Sequence, residues 1–132
     1  MRVAEMIASH PHVEGHLNDP LAKAVEELLS CAQVCTSCAD ACLGEENVAD
    51  LTQCIRLDLD CADVCFAAAS VATRRTGSNE AVIKAMLQAA AEATRRCGEH
   101  CAEHASKMEH CRICHEACEA ARKAVEDALG TL

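Results

Sequence analysis

Apolar residues recur along most of this chain at three- and four-residue intervals, the spacing of one face of an α-helix. From Leu21 through Leu28 to Cys31, Cys35, Cys38 and Cys42 they form one stripe, with polar residues between. β-Branched and aromatic runs are scarce, and Ala, Leu, Glu, Arg and Lys are abundant, which favours helix over sheet.

Punctuation divides the pattern. Asp19-Pro20 reads as an N-cap followed by Pro at the first helical position, opening a helix over 20–43 that Gly44 closes. Asn47 caps a second helix over 48–74, with Arg74-Arg75 at its negative end and Gly77 after it. Ser78 or Asn79 opens a third over 79–105. The periodicity then continues to Leu129, too long for one helix of a globular domain. Ser106 and Glu109 have capping-box spacing, so a tight turn is expected there, with a fourth helix over 107–129. Residues 1–18 hold a short helix, Arg2 to Ser9, and a flexible polar connector carrying His10, His12 and His16. The expected fold is all-α, an antiparallel up-down-up-down four-helix bundle over 19–132 with a short extra N-terminal helix.

Cysteine changes this picture. Its 12 copies stand where Leu or Val would ordinarily fill the seam of a bundle. At 100° per residue, Cys31, Cys35, Cys38 and Cys42 fall within about 60° of one another. Cys54, Cys61 and Cys65 share a similar wedge with Asp58. Cys97, Cys101 and His104 align on the third helix, and Cys111, Cys114 and Cys118 on the fourth, with His115 on its flank. Short loops put all these residues in the half of the bundle nearest the loops between helices one and two and between three and four. Cys31 and Cys42 lie about 16 Å apart along the axis at the usual helical rise. The other half is expected to be an ordinary core of Leu21, Leu28, Ala68, Ala72, Ile83, Met86, Ala90, Val125 and Leu129.

Charge and composition narrow the function. A net charge of −9, with no basic stripe, argues against nucleic acid or an anionic membrane as partner. The N-terminus has no apolar signal region, and no run approaches the ~20 apolar residues of a membrane span. A cytoplasmic chain is expected, where stable disulfides are rare. No catalytic triad, phosphate loop or organic-cofactor motif occurs, so no enzyme is expected.

Three readings of the thiols compete. Cysteine is often a small buried hydrophobe, but Leu would pack the same seam better. Five Cys-x3-Cys pairs also suit disulfide-stapled hairpins or a disulfide-cycling protein. The third reading is soft metal. Iron–sulfur clusters lack their Cys-Pro motif here, and zinc or cadmium would take discrete groups of four. Cu(I) accepts a ladder of bridging thiolates. Asp58 on the cysteine face must be paired, protonated or metal-bound. His104, Met108 and His110, with His100 one turn deeper, sit at the mouth of the thiol column as candidate loading ligands.

With cysteine on every helix face, and HCRICHEAC following a His-containing turn, the chain resembles the bacterial cytosolic copper storage proteins. The resemblance covers Asp19 to Leu129 and is most specific in the four cysteine stripes and the segment Cys97 to Cys118. It implies many Cu(I) ions per chain held as thiolate clusters along the bundle axis. It also implies a homotetramer, and loading at the end that here bears His104, Met108 and His110.

Overall fold

The computed structural model describes residues 1–132. Five α-helices and one 3-10 turn make up the chain: α1 Val3–Ala8, α2 Asp19–Leu43, the 3-10 turn Val48–Leu51, α3 Thr52–Ala72, α4 Glu80–Ala102 and α5 Glu109–Leu129. Helices α2 to α5 form a square bundle in which each packs on its two sequence neighbours and α5 returns to α2. That is the up-down-up-down arrangement expected from short connections. Helix α1 packs on α2 outside the square.

Several helix ends differ from the sequence expectation. Asn18, not Asp19, caps α2: its Oδ1 accepts the Leu21 N–H at 3.0 Å, and Asp19 is already helical. Asn47 makes no side-chain cap, because the chain first takes a 3-10 turn that buries Leu51 before α3 begins. Helix α3 ends at Ala72, leaving Arg74 and Arg75 in the loop beyond it.

The Ser106–Glu109 capping box does not form. Met108, with extended backbone, is the N-cap of α5. The Glu109 carboxylate turns to Arg112 Nε at 3.0 Å, one turn along the helix. The connection is held instead by backbone, Lys107 N–H and Met108 N–H both donating to the His104 carbonyl at 3.0 Å. Helix α4 therefore stops at Ala102 rather than at 105, and α5 starts at Glu109 rather than at 107.

The connector is fastened rather than free. Ile7 is buried, His12 Nδ1 accepts the Gly77 N–H at 3.3 Å, and His10 Nε2 lies 3.1 Å from Thr76 Oγ1. A reversal at Glu14 and Gly15, both with positive φ (50° and 78°), then leads the chain into α2.

The core is continuous but of two chemistries. Away from the thiols it is aliphatic, with Leu21, Val25, Leu28, Leu87 and Val125 wholly buried. Each contributes about 1.5–3 kcal/mol by leaving water. Met86 and Leu129 are only half-buried, and Val25 and Leu87 hold the central places instead.

Candidate metal centre

All twelve cysteines are free thiols and all are buried. The reason is the seam position of each: spacings of three and four turn every thiol toward the axis, and the square packing brings four such stripes together. Sulfur atoms touch along and across the helices. Cys31 lies 3.7 Å from Cys35 and 3.8 Å from Cys118, Cys35 lies 3.8 Å from Cys114 and from Cys118, and Cys61 lies 3.8 Å from Cys65. Thiolates around one metal ion with bonds of about 2.3 Å are separated by nearly this distance.

The atoms that could hold a metal ion fall into overlapping groups, each with its members within 4.8 Å of one another. Deepest is Cys31, Cys35, Cys61 and Cys118; next is Cys35, Cys97, Cys114 and Cys118. Then come Cys38, Asp58, Cys101 and Cys114, followed by Cys42, Cys54 and Asp58, and by Cys38, Cys42, His110 and Cys111 at the mouth. Cys35, Cys118, Cys114, Cys38, Cys42 and Asp58 each belong to two groups, so the column has no natural division into separate fours.

Asp58 is fully buried in the middle of this column. Its Oδ1 faces the thiols of Cys97, Cys114 and Cys101 at 3.1, 3.3 and 3.5 Å, and all three donate to it. Its Oδ2 has no partner. Burial is the largest cause that pushes its pKa up, to about 10, so the carboxyl is neutral at pH 7 in the metal-free chain. An orphaned, buried carboxyl oxygen among thiols is the kind of atom a metal ion would satisfy.

Among the thiols near the mouth, Cys42 and Cys111 are pushed up, whereas the hydrogen bond with Cys101 draws Cys54 down. Burial, with Cys54 beside it, pushes Cys111 up to about 11, and burial with Cys54 and Cys111 raises Cys42. Deeper in, hydrogen bonds between sulfurs divide the network. Cys35, Cys65, Cys101 and Cys118 are pushed up, while Cys31, Cys61, Cys97 and Cys114 are drawn down by the same contacts. Opposite shifts on hydrogen-bonded partners mean that these thiols titrate as one coupled network rather than singly.

At the mouth, His110 joins the thiols directly, its Nδ1 lying 3.4 Å from Cys38 Sγ and 3.6 Å from Cys111 Sγ. His104 is not brought to a sulfur by any hydrogen bond; its ring meets that of His100 edge-on at 5.5 Å. Met108 is half-buried at the start of α5 against the core. His115 is turned away from the column, with Nδ1 2.9 Å from the Gly98 carbonyl.

Sequence reasoning missed Gly98 and Glu45. Gly98 lets α4 and α5 approach, since a Cβ there would lie 3.1 Å from Cys118 Cβ. A glycine inside a helical pattern was the available signal. Glu45, in the loop after α2, reaches His110 Nε2 at 3.1 Å, and nothing in the linear pattern joins those two residues.

A family described as copper storage protein matches residues 17–130 of this sequence. The chain belongs to the copper storage protein family. Solved structures agree with that membership over nearly the whole chain. The copper storage protein Ccsp from Streptomyces lividans, loaded with 10 copper equivalents, is 48% identical with a TM-score of 0.94, covering 98% of this chain and 99% of that one. A cytosolic copper storage protein from Streptomyces lividans, with five coppers, is 53% identical with a TM-score of 0.84, covering 86% and 95%. A Ccsp variant with one histidine replaced by alanine is 52% identical, again with a TM-score of 0.84 and covering 86% and 95%. A comparison with curated protein sequences found no match. No helix of the chain is long and apolar enough to cross a membrane.

Proposed function

We propose that this chain stores copper as Cu(I), many ions per molecule, in thiolate clusters running along the inside of the bundle. The observation that carries the reading is the overlap of the ligand groups, in which thiols such as Cys35, Cys38, Cys114 and Cys118 each serve two neighbours. Shared thiolates suit Cu(I), whereas structural zinc prefers closed sets of four. The ligands are Cys31, Cys35, Cys38, Cys42, Cys54, Cys61, Cys65, Cys97, Cys101, Cys111, Cys114 and Cys118, with Asp58 as an oxygen ligand amid them. His110 is the first ligand met at the mouth, with His104 and Met108 around it.

Loading is an exchange of charge. Each Cu(I) that enters replaces thiol protons, which leave to solvent, and supplies the positive charge that stabilises the thiolates. The aliphatic half and the fastened N-terminal segment keep the empty chain folded meanwhile, so 19–132 is the storage unit and 1–18 its cover. The reading includes a cytoplasmic location, supported by the cytosolic relative, and a homotetramer, supported by the family resemblance. It involves storage and no reaction.

Anaerobic titration of the reduced protein with Cu(I) against a chelator tests it. More than one ion bound for every two thiols is expected. Saturation well below that ratio, or tight Zn(II) saturation near ~3 ions with no preference for Cu(I), would overturn the storage reading.

A further inference from the structure

We propose that Glu45 is a positioning residue for the mouth of the column, holding His110 so that its Nδ1 lone pair faces the outermost thiols. The inference rests on the reading of His110 as the first ligand met by copper.

His110 stands in the first turn of α5, half-buried, with its two ring nitrogens in different company. Nε2 lies 3.1 Å from Glu45 Oε1, and Nδ1 faces Cys38 Sγ at 3.4 Å and Cys111 Sγ at 3.6 Å. An ionised carboxylate only accepts hydrogen bonds, so the nitrogen against it must carry the proton. In a neutral imidazole the other nitrogen then holds the lone pair, which here points at the ligand group Cys38, Cys42, His110 and Cys111. With the column empty, a thiol donates to that lone pair. When an ion arrives the thiol gives up its proton, and Nδ1 is already aimed at the space the ion enters.

Glu45 itself is held in place. Its backbone N–H donates to the Cys42 carbonyl at 3.2 Å, so the end of α2 that carries Cys42 also fixes the residue orienting His110. The contact crosses the mouth from the α2–α3 loop to α5, coupling the two elements that supply Cys38, Cys42 and Cys111. A carboxylate behind a metal-binding histidine fixes the tautomer and ring orientation, and its removal typically weakens binding or activity by about 10–100-fold. An acidic side chain near a cation's path also attracts the cation by charge alone. The test must separate these two effects.

Uptake of Cu(I), delivered from its bicinchoninate complex under anaerobic conditions, is followed by loss of the chelate colour. Wild type is compared with Glu45→Ala, Glu45→Gln, His110→Ala and the Glu45→Ala/His110→Ala double variant. Expected are an initial phase about 10-fold slower in Glu45→Ala and unchanged final capacity. Recovery is expected in Glu45→Gln, whose amide oxygen still accepts from Nε2, and the double variant should be no slower than His110→Ala. Nitrogen NMR of the metal-free protein should show His110 protonated at Nε2 in wild type and Glu45→Gln, and mixed between tautomers in Glu45→Ala. Wild-type uptake by Glu45→Ala beside slow uptake by His110→Ala would overturn the positioning role and leave the mouth intact. Slow uptake by Glu45→Gln, or further slowing in the double variant, would assign Glu45 to charge attraction instead. Wild-type uptake by His110→Ala would remove the mouth reading and this inference with it.

Discussion

Replacing Gly98 by alanine tests how tightly the bundle is closed around its second ligand group. Alanine is the better helix former by about 1 kcal/mol, so at an open helical site the change would stabilise the fold. Gly98 is not open. The new Cβ would stand 3.1 Å from Cys118 Cβ and 3.4 Å from Glu119 Oε1. The glutamate can swing aside; the Cys118 Cβ moves only if α5 moves. Overpacking of this kind costs about 1–3 kcal/mol, so after the propensity gain a net loss of about 0–2 kcal/mol remains. The larger effect falls on copper. Cys97 is adjacent to Gly98, and Cys97, Cys114, Cys118 and Cys35 form one ligand group whose edges lengthen if α5 is pushed away. Guanidinium unfolding of the reduced, metal-free variant reads the first quantity, and Cu(I) titration against a graded series of chelators reads the second. Modest destabilisation with weakened binding of a subset of ions is expected. A gain of about 1 kcal/mol with an unchanged titration would refute the close approach of α4 and α5.

Three further outcomes follow from particular residues. Asp58 keeps its proton in the folded chain to about pH 10, whereas an unfolded aspartate loses it near pH ~4, so the folded state binds one more proton between those limits. The Asp58 contribution to metal-free stability should therefore fall as pH rises from about 5 to 8, by at most about 1.4 kcal/mol per pH unit, read as the difference between the wild-type and Asp58→Asn slopes in urea unfolding. Copper loading at pH 7 should release protons, at about one or more per ion, in an unbuffered pH-stat experiment; no release would mean the thiols were already ionised. Ile7→Ala, at the buried residue of α1, should lower metal-free stability by about 2–5 kcal/mol while leaving copper capacity unchanged, read by thermal unfolding and titration.

Much of the metal centre is legible in the linear sequence because its rule is local. A cysteine repeat of three and four residues defines a stripe on a helix, and Gly44, Gly77 and Gly130 mark where helices stop. Those two facts determine that four thiol faces exist and that they lie at the same end of an antiparallel bundle. They also place Asp58 among the thiols, since it obeys the same spacing.

Other features were decided only by tertiary structure. The Ser106–Glu109 cap was a sound local signal that lost to an ion pair with Arg112 and to backbone bonds on His104. His104 and His110 looked alike in the sequence, but only His110 meets the thiols, because which residue of a turn faces the axis depends on where α5 begins. Glu45 and His110 are 65 residues apart, and no periodicity links them. Periodicity sets the direction a side chain takes from its own helix. Which thiols share a metal site, and what stands behind the histidine at the mouth, depend on how closely one helix approaches the next.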